Sequence, residues 1–163
     1  MKKFLTLSLA ALLCAACTTL VYQPPTLDEY KDAALKEVNE LVAHASISNF
    51  PKEHKRKARI GIGKITNDTH KGAGQMRIDI EQVSLRIREA LLNSGQLEIV
   101  DDNSPNGAPA DYYLEGRIGA SVVKGADGKD IRKYSFTLSI SDINKSGIVW
   151  QHTADVQGSY KEL

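Results

Sequence analysis

Ile131-Arg132-Lys133-Tyr134-Ser135-Phe136-Thr137-Leu138-Ser139-Ile140-Ser141-Asp142 decides the fold. Tyr134, Phe136, Leu138 and Ile140 fall on one side of this stretch; Ser135, Thr137, Ser139 and Ser141 fall on the other. Successive strand side chains point to opposite faces, so a strict period of two means a strand with one buried face and one wet face. The flanking segments repeat the pattern. Tyr112 to Val123 alternates with Tyr112, Leu114, Ile118 and Val122 inward, and Gly125-Ala126-Asp127-Gly128 turns the chain. Asn144-Lys145-Ser146-Gly147 is the next turn, and Ile148 to Val156, carrying Trp150, closes the sheet. Residues 158–163 form a polar tail expected to fray.

Working back from this sheet, Leu97 to Val100 is a short strand and residues 101–109 are a loop of Asp, Asn, Ser, Pro and Gly. Asp79 with Gln82 opens a helix over Ile80 to Ser94 that Gly95 stops as a left-handed cap. Ile80, Val83, Ile87, Ala90 and Leu91 share the face that should cover the sheet. Leu85 and Leu92 make a second, narrow seam, a place for the helix of residues 27–45. Ala58 to Thr66 is a strand anchored by Ile60, Ile62 and Ile65. Gly61 and Gly63 alternate with those anchors and leave room for a packed neighbour; a dinucleotide loop would need a third glycine and an immediate helix. The fold class is α+β: a mixed or antiparallel sheet of four to five strands with helices packed on one face. The expected core joins Trp150, Phe136, Leu138, Leu114, Ile62, Val83, Ile87 and Leu91.

The amino-terminal part reads as targeting and tether. Met1-Lys2-Lys3 precedes an apolar run from Phe4 to Leu13, too short to span a bilayer, and the small pair Ala15-Ala16 leads to Cys17. Residues 1–16 are therefore a signal peptide. Ala15-Ala16-Cys17 resembles the lipobox of bacterial lipoproteins, although Cys14 stands where leucine is usual. That resemblance implies that Cys17 is acylated and begins the mature chain. Thr18 after it is similar to the pattern of lipoproteins sorted to the outer membrane, on its periplasmic face. Residues 17–57 are the expected tether. Within it, Thr26 and Glu29 form a capping box before an amphipathic helix over about residues 27–45, with Leu27, Tyr30, Ala34, Val38, Leu41 and Ala45 on one side. Ser46 to Lys57 is a solvated connector; its run Lys52-Glu53-His54-Lys55-Arg56-Lys57 reads either as a linker or as a patch for phosphate or anionic lipid. Residues 58–157 are then the globular domain.

Composition excludes several functions. The net charge is +1, from 21 basic and 20 acidic residues, so no global field points to nucleic acid or an acidic substrate. One mature cysteine leaves no internal disulfide. No Gly-x-Ser-x-Gly elbow, Walker loop or His-Glu-x-x-His occurs. His44, His54, His70 and His152 lie in four separate segments, without metal-ligand spacing. Asp127 and Asp130 lack the acidic ladder of a calcium loop, and Glu98 with Asp101-Asp102 reads as a solvated loop. No enzyme, cofactor, metal or small-molecule substrate is expected. Binding should fall to loops on the rigid sheet: residues 67–77, 101–110 and 125–130, with Asn67, Lys71, Arg77 and Lys129 as the candidate contact residues.

The ordered set of segments is similar to a known family. After the Ile-rich strand come Asn67-Asp68-Thr69, then Ile78-Asp79 opening a helix that ends Leu91-Leu92-Asn93-Ser94-Gly95. Ala110-Asp111-Tyr112-Tyr113-Leu114-Glu115-Gly116, Tyr134-Ser135-Phe136-Thr137-Leu138, and finally Asp142 with Ile148-Val149-Trp150 follow. This resembles the LpoB-type lipoproteins, activators of bifunctional, class A penicillin-binding proteins. The resemblance implies a small α+β domain related to the amino-terminal domain of TolB, docking on a peptidoglycan synthase from the outer membrane. It departs in the segment from His70 to Arg77, which is longer here, and in the tether, which in the family is long and Pro-rich. Two other readings stay open: a structural lipoprotein of a secretion or flagellar basal assembly, and a hydrolase with an unrecognised site.

Overall fold

The computed structural model of the chain describes residues 20–69, 77–100, 108–126, 128 and 130–162. They form two compact units, one holding the described residues up to Pro24 together with those from Gly158 on, the other Pro25–Gln157.

The larger unit contains α1 (Leu27–Ala43), α2 (Ala45–Ser48), α3 (Phe50–His54), β2 (Ala58–Asn67), α4 (Ile80–Ser94), β3 (Leu97–Val100), β4 (Tyr112–Lys124), β5 (Asp130–Asp142) and β6 (Gly147–Val156). The strands make one five-stranded sheet in the order β3-β2-β4-β5-β6. β2 runs parallel to both β3 and β4; β4, β5 and β6 form an antiparallel meander. The expected α+β class and mixed sheet are what the chain forms. α4 connects the parallel strands β2 and β3, the crossover that parallel pairing requires.

Local chemistry sets the helix ends. Thr26 and Glu29 form the full capping box of α1, each side chain accepting from the other's backbone N–H. Asp79 caps α4 by accepting from Gln82 N at 3.2 Å. Gly95 ends α4 at φ 66°, a conformation that costs glycine nothing and a Cβ-bearing residue energy. Between the helices and the sheet, Leu114, Ile118, Phe136, Leu138 and Ile140 from β4 and β5 are fully buried with Val83, Ile87 and Leu91 from α4. Ile62 and Trp150 pack against this core while keeping part of their surface.

Four expectations about the larger unit need correction. The helix expected in the tether belongs to the core: Tyr30, Ala34, Val38 and Leu41 of α1 are fully buried, and the compact unit begins at Pro25 rather than residue 58. The connector over residues 46–57 is not merely solvated, because it folds into α2 and α3 and buries Ile47 and Phe50. The seam of Leu85 and Leu92 stays largely exposed: Leu85 borders Asp28, Lys31 and Asp32 of α1 across a shallow groove, so the helix edges the seam without burying it. Val122 is 58% exposed although its β4 side faces the helices. The reason is the register. β2 leaves β4 at Ile118 and β6 leaves β5 at Tyr134, so beyond those rungs β4 and β5 pair only with each other.

The smaller unit is a two-stranded antiparallel ribbon, β1 (Leu20–Gln23) with β7 (Ser159–Glu162), in register from Leu20↔Glu162 to Gln23↔Ser159. The tail expected to fray is thus a paired strand; its pairing partner lies about 140 residues upstream, beyond the reach of a local sequence pattern.

Candidate functional site

Helices cover one face of the five-stranded sheet, and the other face carries the polar half of each strand's alternation. Strand register puts Tyr113, Glu115 and Arg117 of β4 beside Ser141, Ser139 and Thr137 of β5 on this open face. Thr137 lies opposite Thr153 of β6, and their hydroxyl oxygens are 2.9 Å apart. A shallow groove of about 390 Å³ runs across these strands, lined by Lys64 and Thr66 of β2, Glu115 and Arg117, Thr137 and Ser139, and Ile148 and Gln151. The register of β2 against β4 shifts between Ile62 and Ile65, where Lys64 joins the groove. Lys64, Glu115 and Arg117 make no ion pair among the described residues.

Tyr113, 38% exposed, and Ile148, 62% exposed, are apolar side chains on this wet face. Tyr113 owes its position to Gly61. A Cβ at Gly61 would lie 2.7 Å from Tyr113 Cε1, so the ring lies across β2 only because residue 61 has no side chain. The packed neighbour expected at the two glycines is this tyrosine at Gly61, and the Leu114 carbonyl with the Glu115 side chain at Gly63. Sequence reasoning missed the face as a site because its signal, serine and threonine alternating with core residues, is shared by any solvated sheet.

The four residues singled out in the sequence fare differently. Asn67 ends β2, and its Oδ1 accepts from Thr69 N at 3.1 Å and Thr69 Oγ1 at 2.7 Å, an Asx turn that shapes the loop start. Buried Thr69 in turn accepts at its carbonyl from Arg132 Nη2 at 2.6 Å, tying this turn to β5. Arg77 is exposed just before α4. Lys71 and Lys129, like Cys17, lie outside the described residues.

The ionisable groups that converge elsewhere bear on structure. Arg56 grips Asp111 with two parallel bonds, Nη1 to Oδ2 at 2.6 Å and Nη2 to Oδ1 at 2.7 Å, and Arg59 N donates to Oδ2 at 2.9 Å. Burial pushes the Asp111 carboxyl up, but the Arg56 fork, the Arg59 backbone bond and the two positive charges together hold it below the usual carboxylate range. Arg56 is correspondingly pushed up, chiefly by its bond to Asp111. Burial, with Asp142, Asp111 and Glu53 nearby, pushes the Tyr112 phenol up. His152, which looked solitary in the sequence, places Nδ1 at 2.8 and 3.0 Å from the two carboxylate oxygens of Glu37, a fully buried residue of α1. Among the described residues, no three His, Cys, Asp or Glu side chains gather as metal ligands would. No helix among them is long and apolar enough to cross a membrane.

Residues 29–108 and 105–156 match the family model for the peptidoglycan-synthase activator LpoB, which together cover most of the chain. The chain belongs to the LpoB family. The LpoB match starts inside α1, in agreement with the burial of that helix in the core. The fold is similar to the LpoB C-terminal domain from Escherichia coli, at a TM-score of 0.54 and 12% identity over 78% of this chain and 98% of that one. The LpoB C-terminal domain from Salmonella enterica is similar at 0.51 and 14% identity, over the same shares. A solution structure of Escherichia coli LpoB gives 0.51 and 13% identity, over 89% of this chain and 73% of that one. At such identities the likeness to these LpoB structures concerns the fold. No curated protein matched the sequence.

Proposed function

We propose that this chain is a lipoprotein, acylated at Cys17 and held at the periplasmic face of the outer membrane, that binds a class A penicillin-binding protein and activates its peptidoglycan synthesis. The observation that carries the proposal is the LpoB family match over residues 29–108 and 105–156. Activation requires no catalytic group on the activator. It requires tighter binding to the active conformation of the synthase than to the inactive one, because equal affinity shifts no equilibrium. A coupling of about 1–3 kcal/mol corresponds to roughly 5–150-fold.

The open sheet face supplies a surface suited to such binding. Tyr113 and Ile148 are exposed apolar anchors on a rigid sheet, and Lys64 and Arg117 beside them are unpaired cations among the described residues. Aromatic residues dominate protein interfaces when ringed by polar groups that exclude water. The loop residues Lys71, Arg77 and Lys129 form the second part of the proposed contact, with Asn67 shaping the turn that leads to it.

The test uses the mature chain from residue 17 with Cys17→Ser, added to the cognate bifunctional synthase while glycan polymerisation is followed. Binding and a faster rate are expected. Tyr113→Ala should weaken binding by about thirtyfold, the effect of losing an interface hot spot. Ile148→Ser should weaken it less, and both variants should melt near the parent temperature. Charge reversal at Lys71, Arg77 or Lys129 tests the loop contribution separately. Absence of both binding and rate change at high micromolar concentration of folded protein would reject the activator reading. One observation favours a structural role in an envelope assembly as the second reading. The eight steps from Cys17 to Pro25 span at most about 28 Å, which keeps the folded unit close to its anchoring membrane. Co-purification of a ring or channel subunit instead of a synthase would select that reading.

A further inference from the structure

The basic run before β2 is built as a rigid element, and its cations point to a ligand that the synthase-binding reading does not use. α3 is fixed at two points. Phe50 is buried in the core, stacked on His54 with 4.1 Å between ring centroids and edge-on to Tyr112. Arg56 lies 5.1 Å over the Phe50 ring and is locked to Asp111 by its two-pronged bond. Lys55 closes α3 in a left-handed conformation, φ 55°, with its N–H on Pro51 O at 2.9 Å. A mere linker needs none of these attachments. They hold the backbone of residues 52–57 still, while Lys52, Lys55 and Lys57 are exposed and make no ion pair among the described residues. Glu53 is the single acidic residue of the run, and Asp111 neutralises Arg56 alone.

We propose that Lys52, Lys55 and Lys57 dock the folded unit onto the anionic phospholipid headgroups of its anchoring membrane. Charge identifies the occupant. Lysine ammoniums are hydrated point charges on flexible stems, suited to a diffuse layer of headgroups rather than to one bound anion. Each lysine near an anionic lipid surface adds about fivefold to binding. Three lysines together favour an anionic surface over a neutral one by about a hundredfold, and an anchor at Cys17 would hold the chain at such a surface. This membrane setting rests on the lipid-anchor reading. α1 carries several exposed acidic residues, including Asp28, Asp32 and Glu40, and suits such a surface less well.

The experiment uses the unacylated mature chain with Cys17→Ser and sedimented vesicles of phosphatidylcholine, with or without one quarter phosphatidylglycerol. Binding to the anionic vesicles alone is expected at about 0.1 M salt, with loss as the Debye length shrinks toward about 3 Å at 1 M. The triple variant Lys52→Gln, Lys55→Asn, Lys57→Gln should lower the partition coefficient about a hundredfold. Asparagine is chosen at 55 because it tolerates the left-handed backbone. A control that removes three cations elsewhere, Lys36→Gln, Arg88→Gln, Lys133→Gln, should bind nearly as the parent does. Thermal melts establish that both triple variants are folded. No binding of the folded parent to anionic vesicles, equal binding to neutral ones, or an equal loss in the control would overturn the proposal. So would saturation of the three lysines by inorganic phosphate without vesicle binding. Because the protein in this assay carries no acyl chain, its failure is separable from failure of the anchor, which lipid labelling of Cys17→Ser in cells reports.

Discussion

At the scale of single residues, two charged contacts hold distant segments together, and each makes a distinct prediction. The Asp111 carboxyl gives up its proton more readily in the folded chain than in the unfolded one, because the Arg56 fork and Arg59 N–H outweigh the effect of burial. Stability from the pair is therefore fully present above the unfolded value of about 4 and is lost as pH falls through the lower folded value. Asp111→Asn should lower the melting temperature at pH 7, and the gap to the parent should narrow on acidification to about pH 2–3. A gap of constant size across that range would mean that the charge of Asp111 contributes nothing. Glu37 and His152 behave differently, since the carboxylate is fully buried while the imidazole is half exposed. The His152 Nδ1–H donates to a carboxylate that has no other hydrogen-bond partner among the described residues. His152→Ala should thus cost about 3 kcal/mol, the effect of stranding a buried charge. Glu37→Leu removes the charge together with its need for a partner, and should lie within about 1 kcal/mol of the parent. Denaturant melts of the two variants decide it; equal losses would show that the contact acts through packing alone.

At the scale of elements, the sequence was most legible where a period repeats. The alternation of residues 131–142 and the helical spacing of residues 80–94 predict β5 and α4, and Phe136, Leu138, Leu114, Val83, Ile87 and Leu91 are fully buried as expected. The helix over residues 27–43 was equally legible as a helix, but its place was not. An apolar stripe states that a helix must be covered, without naming what covers it. Glu37 adds to the ambiguity, because a glutamate on the buried side reads as surface until its partner His152, 115 positions away, is known. The exposure of Val122 was hidden for a similar reason: alternation gives the side of a strand, while coverage depends on where neighbouring strands end. The open face was half legible. Gly61 signalled a close neighbour, but nothing local named Tyr113. The place of α1 is testable. Leu41→Ala should cost about 2–5 kcal/mol, as expected for a core leucine. A helix lying free in a tether would lose no more than about 0.5 kcal/mol, and a loss that small would return α1 to the tether.

At the scale of the whole chain, the burial of α1 changes the mechanics of the proposed lipid anchoring. Had residues 17–57 been tether, the folded unit could have ranged far from its membrane; with the unit starting at Pro25, only eight steps separate it from Cys17. Under the proposed function, the synthase must therefore present its docking region close to the anchoring membrane. Tethering then acts through effective concentration, which falls roughly as the −3/2 power of linker length once the linker spans the gap. Inserting about 30 Gly/Ser residues after Thr19 leaves the β1–β7 ribbon intact and adds an r.m.s. reach of roughly 30 Å. The lead ahead of the ribbon then grows from three steps, Cys17 to Leu20, to about 33, which should lower the effective concentration more than about tenfold, provided the native lead already spans the gap. Synthase activation in cells should fall accordingly, while the soluble mixture with Cys17→Ser, which has no tether, should be unaffected by the insertion. A rise in cellular activation would carry the opposite meaning. It would show that the native lead leaves the folded unit short of its synthase, and that a partner held nearer the anchoring membrane is the one this chain ordinarily meets.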